Sequence, residues 1–208
     1  MHKSPGLHRF LTFVDAIIAI AITLLVLPLV EMTSELTEET SLEELWSPET
    51  IGKYGSFVLS FAVIFRLWQV HHKLMEPIES YDRVVGVVTA AWALTIVFMP
   101  FPTALIGIYG NEEVPVIALY LLTLFVSSAL LTALALYLAR RTELHEADVE
   151  SSKRMAVPSV VTTILTGLAA VIGILVPRVN YGALLLLLLT GVLTVLVNRR
   201  LRLPQEEA

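Results

Sequence analysis

Arg9-Phe10-Leu11-Thr12-Phe13-Val14-Asp15-Ala16-Ile17-Ile18-Ala19-Ile20-Ala21-Ile22-Thr23-Leu24-Leu25-Val26-Leu27-Pro28 is the stretch on which the fold turns. Between Arg9 and Pro28 it is apolar apart from Thr12, Asp15 and Thr23, and it has the roughly 20-residue length that crosses a hydrocarbon core. Pro28 and Glu31 follow it, with no small-residue cleavage site, so it reads as a first spanning helix (about 10–30) and not as a signal peptide. Five more apolar runs come after it, at about 51–70, 84–108, 114–138, 155–176 and 181–197. The expected fold class is an all-α membrane protein, a single domain of six transmembrane helices over 1–208.

Composition agrees with the runs. Of 208 residues, 56% are hydrophobic and 16% charged, too little polar surface for a water-soluble domain of this size. There are no cysteines, which excludes disulfides, thiolate metal sites and cysteine nucleophiles. The net charge of −5 conceals a segregation. With six spans, one side carries Lys3, Arg9, Lys73, Arg83, Arg140, Arg141, Lys153, Arg154, Arg199, Arg200 and Arg202; the other carries Lys53 and Arg178, with Arg66 inside the second span. The positive-inside rule then makes both termini cytoplasmic. The 31–50 loop, with seven glutamates and no Lys or Arg, falls on the opposite side.

No Gly-rich phosphate loop, metalloprotease His pair or Ser/His/Asp set is present, so the pattern predicts no enzyme and no cofactor. His71-His72 with Glu76 and Glu79 reads more simply as polar residues at a helix end than as a metal site, and no bound metal is expected. His145 in the 4–5 loop is weak evidence for pH sensing. Asp15 is the informative residue. An unpaired carboxylate costs roughly 2.5–3.5 kcal/mol near the bilayer centre, so it should face protein or water. Its candidate partners are Arg9 on the same helix and Arg66, Trp68 or His71 at the corresponding end of the second. This is either a clasp that packs two helices or a direct contact for a permeating ion. At 3.6 residues per turn, Ala16, Ile20, Thr23, Leu24 and Leu27 share one stripe; by period alone it is lipid-facing or core. Pro28 lacks an N–H for the Leu24 carbonyl, which predicts a kink.

Arg9-x-x-x-Phe13-x-Asp15-Ala16 running into Ala19-Ile20-Ala21-Ile22-Thr23-Leu24-Leu25-Val26-Leu27 resembles the signature of the transmembrane protein 175 family of potassium-permeable channels. Ser60-Phe61 with Trp68-x-x-His71-His72, and Pro100-Phe101-Pro102-Thr103 with Gly107, extend the resemblance over roughly the first 110 residues. Val14 stands where the family usually has Ser, and Thr89 where an Asn is common. The resemblance implies a homotetramer whose first helices line a pore in the plasma membrane. Ile20, Leu24 and Leu27 would be its constriction rings, Thr23 a polar contact beside them, and Arg9, Asp15, Trp68 and His71 the polar network that packs the pore helix. The implied function is a cation channel preferring potassium, with weak selectivity and proton permeation left open, in which oily rings favour the cation that sheds water more cheaply. Two alternatives remain: a secondary transporter or proton-coupled exchanger using Asp15, and a non-conducting assembly protein. A transporter site should bring interrupted helices and a repeated half, and neither is evident in the sequence.

Overall fold

The computed structural model describes residues 4–35, 45–109, 113–144 and 149–176, with 193, 196, 197 and 200. Most of the expected sixth span, His145 and residues 36–44 of the acidic loop lie outside the described residues. Within them the chain is helical: α1 (Pro5–Leu24), α2 (Leu27–Glu35), α3 (Pro48–Met75), α4 (Arg83–Phe98), α5 (Pro100–Tyr109), α6 (Val114–Leu138) and α7 (Val149–Leu175), with a 3₁₀ turn at Thr142–Leu144. Among the described residues five stretches are long and apolar enough to cross a membrane: Pro5–Thr33, Thr50–Met75, Arg83–Tyr109, Val114–Leu138 and Ala156–Leu175.

Helix starts follow capping chemistry. The Ser4 hydroxyl accepts from the Leu7 N–H at 3.3 Å, with Pro5 opening α1. Ser47 accepts from Thr50 at 3.2 Å ahead of Pro48. Asp82 accepts from the Val85 N–H at 2.9 Å at the start of α4. Each side chain satisfies one of the donors a helix start leaves open.

Two spans are broken, one at the kink expected from Pro28 and one at Pro100, inside a helix read from the sequence as continuous, and proline is the cause in both. Between α1 and α2 the Leu25 and Val26 N–H groups fall back on the Ile22 and Thr23 carbonyls, each at 3.3 Å. Pro28 has no N–H to continue the ladder, and it fits the first turn of α2, where none is needed. The anticipated kink is therefore there, centred two residues before the proline. Between α4 and α5 the Met99 N–H bonds to the Ile96 carbonyl at 3.2 Å, and Pro100 restarts the helix.

Antiparallel pairs set the register. Trp68 on α3 meets Asp15 on α1. His71 and Ser60 on α3 meet Trp92 on α4 and Thr103 on α5. Tyr137 on α6 meets Asp82, and Thr132 bonds to Thr163 on α7 at 2.8 Å. Trp92, Tyr120, Ile64, Leu121 and Leu124 fill the centre, each at most 1% exposed. α6 packs most extensively on α7 and next on α4. One end of the bundle is laced by main-chain bonds, Ser4 N–H to the Glu79 carbonyl (3.0 Å) and Glu79 N–H to the Leu144 carbonyl (3.1 Å), with Phe10 stacked on Tyr81. The start of α1, the α3–α4 turn and the connection after α6 thus share an end, and that end carries Arg9, Lys73, Arg83, Arg140 and Arg141.

Candidate functional site

α1 has two faces of opposite character. Leu7, Val14, Ile18, Ala21 and Leu25, at steps of seven, four, three and four, are buried against the bundle. On the other side Ile20 is 60% exposed, Leu24 38% and Leu27 46%, with Ala16 and Thr23 also exposed. The protomer leaves this stripe uncovered. The Thr23 hydroxyl donates to the Ile20 carbonyl at 2.7 Å. Its hydrogen is thereby committed to its own helix, and the oxygen lone pairs are left to accept.

Asp15 and Trp68 come together: the indole Nε1–H donates to Asp15 Oδ1 at 2.9 Å, a charge-assisted bond joining α1 to α3. Trp68 is itself held in an aromatic ladder along α3, running Phe57, Phe61, Phe65, Trp68 and His72, with successive ring centroids 6.4, 6.2, 5.4 and 5.3 Å apart. The other members of the expected network are placed elsewhere. His71 is 1% exposed and lies flat on Trp92, centroids 4.4 Å apart and planes 12° off parallel. Arg9 and Arg66 are exposed, and among the described residues neither forms an ion pair with Asp15. His71 and His72 point to opposite sides of α3, one into the core and one into the ladder. Among the described residues no three His, Cys, Asp or Glu side chains cluster in a way that could hold a metal. Val14 is buried in the core, and Thr89, 0% exposed, has no hydrogen-bond partner for its hydroxyl.

A second polar cluster lies deeper. The Thr103 hydroxyl donates to the Met99 carbonyl at 2.9 Å and accepts from the Ser60 hydroxyl at 2.9 Å, and the Tyr120 hydroxyl lies 3.4 Å from that of Ser60. It ties α3, α5 and α6 together beside the α4–α5 break, where the Met99 carbonyl takes both the Thr103 N–H (3.2 Å) and the Thr103 hydroxyl. Ser60 and Thr103 were marked in the sequence only as motif matches; that they touch depends on the α3–α5 register, which period does not encode.

The site's arrangement is an outward apolar stripe on a helix anchored behind by one carboxylate–indole bond. That helix opens the part of the chain that resembles known proteins. Residues 9–100 match the family model described as endosomal/lysosomal potassium channel TMEM175. Among curated TMEM175 relatives, a potassium channel of Chamaesiphon minutus is 33% identical over 105 residues, covering 49% of this chain and 49% of that protein. A potassium channel of Streptomyces collinus is 28% identical over 109 residues, 50% of each. The Danio rerio protein named as an endosomal/lysosomal proton channel TMEM175 is 25% identical over 105 residues, 50% of this chain and 20% of its own length. The matched segments thus span about half of the bacterial relatives and a fifth of the animal one. The fold likeness reaches further than the sequence likeness. A crystal structure of a TMEM175 homologue from Chamaesiphon minutus superposes with TM-score 0.58 at 23% identity, covering 90% of this chain and 99% of that one. A variant of the potassium channel MtTMEM175 superposes with TM-score 0.60 at 18% identity, covering 93% and 92%. The chain is a multi-pass membrane protein with the TMEM175 fold.

Proposed function

We propose that this protein is a cation channel with a preference for potassium, a homotetramer whose α1 helices surround a central pore. The observation that carries the reading is the exposed stripe of Ile20 and Leu24 on α1, continued by Leu27 at the start of α2 and set opposite the buried face of α1. Relatives named as potassium channels support it. Four copies of the stripe around an axis form rings of branched apolar side chains. Such rings exclude water when narrow, and favour the ion whose hydration is cheaper to strip. Thr23, with its proton turned back to Ile20, offers the oxygen lone pairs a cation needs. Asp15 and Trp68 act behind the pore wall, fixing the rotation of α1 so that the stripe keeps its direction. A second cation bottleneck or a metal is not required. Both termini would be cytoplasmic and the membrane the plasma membrane. Animal relatives named as proton channels extend the reading to proton leak through the same rings.

The exchanger reading has one feature in its favour, the two broken spans. Asp15 sits ten residues before the Leu25–Val26 break, inside regular helix and bonded to Trp68, away from the exposed backbone a transporter site uses.

Potassium-loaded liposomes containing the purified protein should discharge down their gradient with no opposing proton gradient. Ile20→Asn should hydrate the ring, raise potassium flux several-fold and bring sodium flux toward it. Wild-type flux with an unaltered potassium-to-sodium ratio in Ile20→Asn would remove the pore assignment.

A further inference from the structure

Around α3 the side chains divide into three flanks. Ser60, Val63, Ile64, Leu67, Val70, His71 and Leu74 face the core. Trp68 and the aromatic ladder face the side of α1. Ala62, Arg66, Gln69 and Lys73, at steps of four, three and four, occupy the third flank. Arg66 and Lys73 are exposed there and Gln69 is half-buried. Among the described residues Arg66 has no carboxylate within ion-pair distance.

That guanidinium needs a counter-charge. The Thr50–Met75 span has 26 residues; at 1.5 Å per residue it is about 39 Å long, against a hydrocarbon core of about 30 Å. Its ends therefore stand in the headgroup layers, and Arg66 lies about two turns inside the Lys73 end. A cation at that depth costs roughly 2.5–3.5 kcal/mol at the span centre and less toward the interface. The long side chain can lift its head to the phosphate layer at the Lys73 end. Arg66 and Lys73 are about 10 Å apart along one flank, with the Gln69 amide between them, at the end of the bundle that also carries Arg83 and Arg140. A phosphate diester matches this set: Arg presents a planar fork to its oxygens, Lys a point charge, Gln a neutral donor.

We propose that the Ala62–Lys73 flank of α3 binds the headgroup of an anionic phospholipid, with Arg66 on the phosphate and Gln69 and Lys73 beside it. The site depends on membrane insertion and not on the pore reading, so either can fail without the other. Native mass spectrometry of the full chain, released from micelles doped with equal phosphatidylglycerol and phosphatidylcholine, tests it. Wild type should retain phosphatidylglycerol at least fivefold over phosphatidylcholine. Arg66→Gln should abolish the preference, Arg66→Lys should keep part of it, and Arg141→Gln, whose guanidinium already pairs with Glu143 at 2.8 Å, should leave it intact. Lys73→Gln, an exposed position near the helix end that poses no risk to folding, should halve it or more. Equal retention of the two lipids by wild type, or wild-type preference in both Arg66→Gln and Lys73→Gln, overturns the proposal. So does an Arg66→Gln protein that keeps the lipid preference but loses oligomers, which would assign the counter-charge to a second copy of the chain.

Discussion

Replacing Trp68 with Phe removes one N–H and leaves the ring in the α3 ladder, so it isolates the bond to Asp15. At 2.9 Å, with an ionised acceptor, such a bond contributes about 1.5–3 kcal/mol in a soluble protein. In a bilayer the unfolded reference also finds partners, and interhelical bonds there average roughly 0.6 kcal/mol with a maximum near 1.7. The charge on Asp15 puts this bond at the upper end, giving an expected coupling of about 1–1.5 kcal/mol. Asp15 is half-buried, which keeps the value from going higher. A double-mutant cycle of Trp68→Phe and Asp15→Ala, read by reversible unfolding in lipid–detergent bicelles, measures it. Trp68→Phe alone should also blur the rotation of α1, so flux in that variant should fall with its stability. A coupling below about 0.3 kcal/mol would refute the idea that this bond anchors α1.

Two other sites give sharp expectations. Tyr137→Phe removes the hydroxyl that, ahead of the Val85 N–H, holds the Asp82 carboxyl below the usual carboxylate range. A depressed carboxylate stabilises the fold fully above its unfolded pKa of about 4 and stops doing so as pH falls through the lower folded value; the Tm gap between wild type and variant should therefore be open at pH 7 and close below pH 4. At Gly167 an added Cβ would stand 3.1 Å from Phe125 Cε2, tighter than nine in ten such contacts. In Gly167→Ala the strain on Phe125 is set against about 1 kcal/mol of helix propensity gained, so its melting temperature should stay close to wild type, whereas Gly167→Leu should cost about 2–3 kcal/mol through overpacking of α6 on α7, seen as a drop in melting temperature.

Much of this was legible before any coordinates. An acid alone in a run of Ala, Ile and Leu must have a partner, and Trp68 was among the four candidates. Pro28 announced where one ladder would be interrupted, although the break falls ahead of the proline because the Leu25 and Val26 N–H groups drop back to i−3 carbonyls; the interruption at Pro100 was not read from the sequence. His71 was less legible: adjacency to His72 suggested a polar helix end, whereas the α3–α4 register puts its ring flat on Trp92. Asp82 and Tyr137, 55 residues apart, carried no local signal at all. The direction of the Ile20, Leu24 and Leu27 stripe was beyond periodicity, since in a bilayer lipid-facing and axis-facing surfaces are equally apolar. Which α1 face is buried follows only from packing against α3 and α4.

The most direct measurement uses the absence of native cysteine. Leu24→Cys gives a single thiol, and a positively charged, membrane-impermeant thiosulfonate reaches it only through water. The account predicts that the reagent cuts potassium flux of Leu24→Cys liposomes at least tenfold and leaves wild type and Leu122→Cys, a control on the exposed side of α6, unchanged. Undiminished flux from a fully modified Leu24→Cys protein, or a thiol that reacts only with lipid-soluble reagents, would contradict a pore walled by α1.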